Sequence, residues 1–126
     1  METYDPLKPP PPDEWLAFDE SERVELVLSW HQRARVRLPN ARIHAIVHQV
    51  VETQLAEGIP EVCSTLKRLM REGLDRHDAI HAIGSALTME LWSVIKDKPA
   101  GVDVTAAFYK RLKDLSAKSW LESMRG

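Results

Sequence analysis

Four of the five histidines in this 126-residue sequence fall into two pairs with the same spacing. His44 and His48 form one pair, and His77 and His81 form the other. Side chains four residues apart lie one above the other on the same helix face, close enough to bind one ion. Imidazole nitrogen is a common ligand of zinc, nickel, copper and iron, whereas magnesium and calcium prefer oxygen. The spacing therefore predicts a transition-metal site, with zinc favoured over nickel or iron.

The expected position of the first pair around its helix adds a carboxylate to it. In a helix over about 41–57, His44, His48 and Glu52 form a single row, because each is one turn from the next. This row borders an apolar stripe made of Ile43, Ile46, Val47, Val50 and Val51. A row at the edge of a buried face predicts a partly shielded site.

The second pair runs beside another apolar stripe and next to the small residues Gly84 and Ser85, which let a neighbouring helix approach closely. If the two histidine helices are neighbours, four imidazoles and one carboxylate converge, as in metal sites inside helical bundles. Such a set suits tetrahedral zinc. The Asp75 and Asp78 carboxylates are candidate acceptors for the second ring nitrogens. The predicted metal ligands are His44, His48, Glu52, His77 and His81.

The segment from His77 to His81 also resembles the zinc-protease pattern His-Glu-x-x-His, with Asp78 in place of the glutamate. In that pattern the acid activates a metal-bound water, so Asp78 is the candidate base of a metal-dependent hydrolase. Aspartate is one methylene shorter, however, and no third-ligand signature follows. Hydrolysis is therefore a further alternative.

A metal-free interpretation also explains the histidines. A histidine at the edge of a core often hydrogen-bonds a carbonyl or a carboxylate and binds no ion. The pairs would then form a structural network that fixes helix pairing in an interaction module, with a homodimer or another protein as partner. Gln54, near the middle of the apolar face, is predicted to have a buried hydrogen-bond partner. His31 is unpaired and is predicted to be a helix-end residue.

The elements that must position these residues are predicted from caps and breakers. Asp19 or Ser21, then Asn40, Asp75 and Asp103, are candidate N-caps, and Gly58 and Gly73 are candidate helix ends. We expect an all-α, single-domain bundle of about five helices over 15–126. Residues 1–14 are predicted to form an extended, Pro-rich N-terminal arm. The helices are expected at about 21–35, 41–57, 60–73 and 75–96, and after Asp103. Predicted core residues include Cys63, Trp30, Trp92 and Trp120.

Composition and charge limit the class of function. The net charge of −2 gives no general attraction to nucleic acid or anionic lipid. Arg33, Arg35, Arg37 and Arg42 are locally basic but alternate with no aromatic residues, so a nucleic-acid partner is not expected. No secretory signal and no apolar run of roughly 20 residues is present. One cysteine suits a reducing compartment. We predict a soluble, cytoplasmic protein without a membrane partner and without a nucleotide or organic cofactor.

Residues 40–97 resemble small bacterial proteins of the domain-of-unknown-function 1841 type. The matching marks are Asn40, His44-x3-His48, Gln54, the run Arg76-His77-Asp78-Ala79-Ile80-His81, and Glu90-Leu91-Trp92. The resemblance covers about half of the chain and implies an all-helical fold and a bacterial source. It implies no established activity. Members of that family more often have glutamate where this sequence has Asp78, so the resemblance lends no support to catalysis by this residue.

Overall fold

The computed structural model describes residues 1–36, 40–97 and 103–125. Within these ranges the chain forms seven helices and no strand, which confirms the all-α prediction but adds two helices to the expected five. No described helix is both long and apolar enough to cross a membrane. The helices are α1 (Pro12–Ala17), α2 (Glu20–Arg33), α3 (Ala41–Ala56), α4 (Pro60–Arg71), α5 (Arg76–Asp97), α6 (Val104–Asp114) and α7 (Ala117–Arg125).

The two additional helices lie at the ends of the chain. Helix α1 begins at Pro12, where the fixed φ angle of proline suits a first helical turn and its missing N–H is no loss. Helix α6 ends at Asp114, and its C-cap residue Leu115 has an extended backbone. The Ser116 hydroxyl then accepts a hydrogen bond from the Ser119 N–H at 3.0 Å, and this cap starts α7.

The extended arm predicted for residues 1–14 is not confirmed. Tyr4 and Pro6 are almost fully buried, and Pro12 already belongs to α1. Aromatic and proline side chains in this segment bury apolar surface, which holds the segment against the helices that follow. The described chain divides into two compact units, Met1–Ile59 and Pro60–Gly126. The division into an arm and one domain over 15–126 stays a prediction.

The first unit is built around α2 and α3, with α1 packed against α3. Trp15 of α1 is fully buried, and its indole N–H donates to the Thr53 hydroxyl at 3.1 Å. The Arg23 side chain donates to the carbonyls of Trp15 and Leu16, both at 3.1 Å, so the end of α1 is tied to α2. The apolar core of this unit consists of Tyr4, Trp15, Val24, Val27, Leu28 and Ala45.

Helix α3 turns a different face inward from the one predicted. Ile43 and Ile46, which were expected to be buried, are 55% and 38% exposed. The predicted polar row is the buried one, since His48 and Glu52 are almost completely hidden from solvent. The apolar stripe and the polar row lie side by side on the helix, and packing against α1 and α2 selects the polar row together with Ala45 and Val51.

The second unit surrounds α5, which packs against α4, α6 and α7. The Arg68 guanidinium donates to the Leu112 carbonyl and to the Glu72 carboxylate, each at 2.9 Å. Glu72 in turn accepts from the Ala117 N–H at 2.9 Å, and these hydrogen bonds join α4 to α6 and to the start of α7. The buried apolar side chains are those of Val62, Leu69, Leu74, Ile80, Ile83, Phe108, Leu112 and Trp120.

The tryptophans predicted as core anchors differ in their environments. Trp120 is buried and Trp30 packs, partly buried, against the core of the first unit. Trp92 is 65% exposed, so its prediction as a core residue is wrong. It lies on α5 near exposed Met89 and Ile95, on the side of that helix that the described residues leave open.

The predicted helix ends are confirmed at most positions. The Asn40 and Asp103 side chains cap α3 and α6, and the Asp75 carboxylate accepts from the Asp78 N–H at 2.8 Å. Gly58 and Gly73 have positive φ angles of 72° and 113°, a conformation that glycine adopts without steric cost.

The start of α2 allows a stability test. Asp19 forms a complete capping box with Glu22, whereas Ser21, the other predicted cap, is exposed. We expect Asp19→Ala to lower the free energy of unfolding by about 1 kcal/mol, because it removes an acceptor for a helical N–H. Ser21→Ala is the control and should change it by less than about 0.5 kcal/mol. Urea denaturation measures both, and equal losses in the two variants would argue against this cap.

Candidate metal centre

His31 enters the first unit's interior from α2. It follows Val24, Val27 and Leu28 on the buried face of that helix and is 2% exposed. Its Nδ1 lies 2.9 Å from the Val27 carbonyl oxygen. A carbonyl only accepts, so Nδ1 carries the proton and donates, and Nε2 carries the lone pair of the neutral ring. Nε2 is therefore the nitrogen of His31 that can bind a metal.

His44 and His48 meet His31 from α3. The His31 ring centroid lies 4.9 Å from that of His44 and 5.3 Å from that of His48. The His44 and His48 centroids are 6.2 Å apart, as expected one turn apart on the same helix. One ring nitrogen from each of the three histidines lies within 4.8 Å of the others. Packing of α2 against α3 thus brings three imidazoles together.

Burial makes the neutral form of His31 and His44 the favoured one. Burial lowers the pKa of His31, although its hydrogen bond to the Val27 carbonyl acts in the opposite direction. Burial, together with the nearby His31, lowers the pKa of His44 to about 4. At neutral pH these two rings therefore have available lone pairs, which is the state that coordinates a metal.

Behind His48 lie two further buried polar side chains. The Tyr4 hydroxyl is 2.8 Å from His48 Nε2, and it also donates a hydrogen bond to Glu52 Oε2. Both Tyr4 and Glu52 are 1% exposed. The Tyr4 ring packs on Trp15, at a centroid distance of 5.4 Å, and against the edge of His48 at 5.5 Å. A histidine, a phenol and a carboxylate thus form one buried chain of hydrogen bonds.

Two of the five ligands predicted from the sequence, His44 and His48, lie in this cluster. Glu52 accepts a hydrogen bond from the Tyr4 hydroxyl, which also contacts His48 Nε2. His31 lies in the last turn of α2, as predicted, but it is buried and belongs to the cluster, which the sequence analysis did not anticipate. The spacing of Val24, Val27, Leu28 and His31 places His31 on an apolar face, a sequence signal that identifies it as buried.

No local signal identifies Tyr4, because it lies 44 residues from His48 in the sequence. Gln54 differs from its prediction as well. Its side-chain oxygen is buried and accepts no hydrogen bond among the described residues. It does not belong to the histidine network of the first unit.

The other predicted ligands, His77 and His81, lie together on the first two turns of α5. Their ring centroids are 4.0 Å apart, so the pair has the geometry expected from its spacing. Asp75 caps this helix, and burial, followed by the charge of Asp75, raises the pKa of Asp78. That this pair shares an ion with His44 and His48 stays a prediction, as does a hydrolytic role for Asp78.

Three imidazoles are the protein ligand set of several zinc sites. In such sites three protein ligands leave a coordination position for water or another molecule. Tetrahedral coordination at a Zn–N distance of about 2.0–2.1 Å places the ligand nitrogens roughly 3.4 Å apart. One nitrogen from each of the three rings lies within 4.8 Å of the others. The first unit can therefore hold a transition metal.

Comparisons with protein-family models, with curated proteins and with solved structures give no match to this chain. The resemblance of residues 40–97 to the domain-of-unknown-function 1841 type stays a prediction.

The lowered pKa values predict how stability depends on pH. The pKa of His44 is about 4 in the folded protein, against the ordinary histidine value of 6.5 in the unfolded chain. Between these pH values the unfolded chain therefore binds a proton at this residue that the folded protein does not bind. The free energy of unfolding is therefore unaffected by this residue above pH 6.5 and decreases as the pH is lowered from 6.5 to about 4. The limit is about 1.4 kcal/mol per pH unit for each such histidine, reduced by solvent screening at half-buried His44.

Urea denaturation of the chelator-treated protein at pH 7, 6 and 5 measures this slope. The His44→Gln variant does not titrate at this position and should show a shallower dependence on pH. An identical slope in the variant and in the unaltered protein would contradict the assignment.

Proposed function

We propose that this protein binds a divalent transition metal ion, with zinc favoured, through His31, His44 and His48. The observation that carries the proposal is the meeting of three ring nitrogens from two helices within 4.8 Å in the interior of one unit. Histidines scattered on helices seldom converge in this way, because each buried imidazole loses hydration that some partner must replace. A metal ion replaces it for all three rings at once.

The choice of metal follows from the ligands. Nitrogen ligands favour zinc, copper, nickel and iron over magnesium and calcium. Zinc imposes no geometry of its own beyond tetrahedral packing and is satisfied by three histidines and one further ligand. Burial of His31 and His44 further supports the proposal, since it keeps both rings neutral at physiological pH.

The two other histidines of the ligand set predicted from the sequence are kept as an extension of the proposal. In that extension His77 and His81 also coordinate the ion, and the matching four-residue spacing of the two pairs supports it. A role for the ion in structure or regulation is favoured over catalysis, because two of the three rings, those of His31 and His48, are almost fully buried.

A metal-free histidine network is the second candidate, and it has specific support. His31 donates to the Val27 carbonyl, and His48 hydrogen-bonds Tyr4. Both bonds are those that a core histidine makes without an ion. In this case the protein is a helical interaction module, and the histidines fix the pairing of α2 with α3.

Metal content separates the two candidates. Protein purified without a histidine tag should contain about one equivalent of zinc, nickel or iron by elemental analysis, as one three-histidine site requires. His31→Gln and His44→Gln should lose it, because each removes a ligand nitrogen. Gln54→Leu is the matched control on α3 and should retain the metal, since the Gln54 oxygen accepts no hydrogen bond among the described residues.

The His81→Gln variant tests the extension in the same experiment. Loss of metal in this variant, with its helical circular-dichroism spectrum unchanged, adds the second pair to the site. Retention confines the site to the first unit. A wild-type protein that holds no metal and takes up no added zinc would establish the metal-free network instead.

Thermal stability gives an independent measure. An ion that binds only the folded chain adds about 2.7 kcal/mol at 100 times its Kd. For a chain of this size that is a rise in Tm of roughly 10 °C over the chelator-treated protein. The His44→Gln variant should show no such rise on addition of zinc. An equal rise in both proteins would point to zinc bound elsewhere.

A further inference from the structure

The Tyr4 hydroxyl contacts His48 Nε2 and donates to Glu52, so two buried polar side chains adjoin one of the three clustered histidines. We propose that these two residues are positioning residues of the metal centre. Tyr4 holds His48 in one tautomer and orientation, and Glu52 supplies a buried negative charge through the Tyr4 hydroxyl without binding the ion. This inference rests on the proposed metal-binding function, and it assigns Glu52 a different role from that of a direct ligand.

The hydrogen bonds fix the tautomer of His48. A phenol has one proton, and Tyr4 gives it to Glu52 Oε2. The contact of 2.8 Å between the Tyr4 oxygen and His48 Nε2 then requires the proton of His48 on Nε2. The lone pair of the neutral His48 ring is consequently on Nδ1. Nδ1 is thus the nitrogen with which His48 coordinates the ion.

His31 has the same arrangement with a different acceptor. Its Nδ1–H donates to the Val27 carbonyl, which leaves Nε2 for the ion. Metal-bound histidines generally donate their other ring N–H to a carbonyl or carboxylate, which orients the ring and makes it a better ligand. Two of the three histidines therefore already have the supporting hydrogen bond that a metal site needs.

Charge explains why a carboxylate lies at the end of this chain. Three neutral imidazole ligands do not compensate the positive charge of a divalent ion. Burial of such a charge is unfavourable without a nearby anion. Glu52 is 1% exposed and lies one hydrogen-bonded side chain away from His48. The phenol of Tyr4 transmits its influence, since each hydrogen bond in such a chain polarises the next.

The inference also gives the segment before α1 a role. Tyr4 belongs to that segment, packs on Trp15 of α1 and bonds two residues of α3. Metal affinity should therefore depend on a residue far from the ligands in the sequence. A purely structural Tyr4 would affect folding but leave the zinc affinity of a folded variant unchanged.

The test compares Tyr4→Phe, Glu52→Gln and the double variant with wild-type protein. Tyr109→Phe is the control, because Tyr109 is the other tyrosine of the chain and lies in the second unit. The zinc Kd is measured by competition with a chromophoric chelator, and the His48 tautomer by two-bond 1H–15N NMR correlations of the metal-free proteins. Circular dichroism checks that each variant is folded.

We expect Tyr4→Phe and Glu52→Gln each to weaken zinc binding by about 10–100-fold, the usual effect of removing such a supporting group. The double variant should be no weaker than the worse single variant, because both residues act through one chain of hydrogen bonds. The NMR pattern of His48 should show Nε2–H in the wild-type protein and a tautomer mixture in Tyr4→Phe. Tyr109→Phe should match the wild type in both measurements.

A folded Tyr4→Phe protein with wild-type zinc affinity and an unchanged His48 tautomer would overturn the inference. In that case the metal site itself would stand, provided that His44→Gln abolishes binding. A ten-fold or larger further loss in the double variant would show that Tyr4 and Glu52 act separately, and would also overturn it. If wild-type protein binds no zinc, the proposed function fails, and this inference fails with it.

Discussion

The arrangement of the first unit depends on one packing choice, in which α3 turns its polar row toward α2 and the segment before α1. His48 and Glu52 are buried, while Ile43 and Ile46 face outward. Burying a polar row is unfavourable unless every member finds a partner. The rest of the unit supplies these partners. Tyr4 is hydrogen-bonded to both His48 and Glu52. The Thr53 hydroxyl, one residue beyond Glu52, accepts a hydrogen bond from the Trp15 indole N–H.

This constraint explains why an N-terminal segment rich in proline is ordered instead of extended into solvent. Tyr4 must lie against α3, and Pro12 begins α1 so that Trp15 can pack on the Tyr4 ring. Apolar burial of the two aromatic rings and the hydrogen bonds of Tyr4 act together. Composition alone predicts a polyproline conformation for Pro9 to Pro12. It contains no information about the distant side chains of His48 and Glu52, to which Tyr4 is hydrogen-bonded.

The sequence predicts local features well because caps and breakers act within four residues. Asn40, Asp75 and Asp103 cap the helices that they were expected to cap, and the glycines end theirs. The inward face of α3 could not be predicted, since two adjacent stripes were both plausible and the choice rests on long-range packing. The spacing identified His44 and His48 as a pair but did not connect them to His31. That connection requires the packing of α2 against α3, which no single-helix pattern encodes.

The third imidazole, that of His31, makes the proposed metal site depend on the packing of two helices and not only on the spacing of two histidines within one helix. Two histidines four residues apart can chelate an ion on any helix, folded or isolated, so binding by such a pair alone reports little about the fold. His31 comes from a different helix, and its distance to the others is set by α2–α3 packing. An ion held by all three would therefore bind the packed pair of helices and not the unfolded chain. Its binding free energy would become folding free energy for this unit. Under the proposed function the same coupling would extend to Tyr4, because His48, to which Tyr4 is hydrogen-bonded, would belong to the ligand set. A bound ion and the packed helices would then stabilise each other, which would offset the free-energy cost of burying polar side chains in this unit.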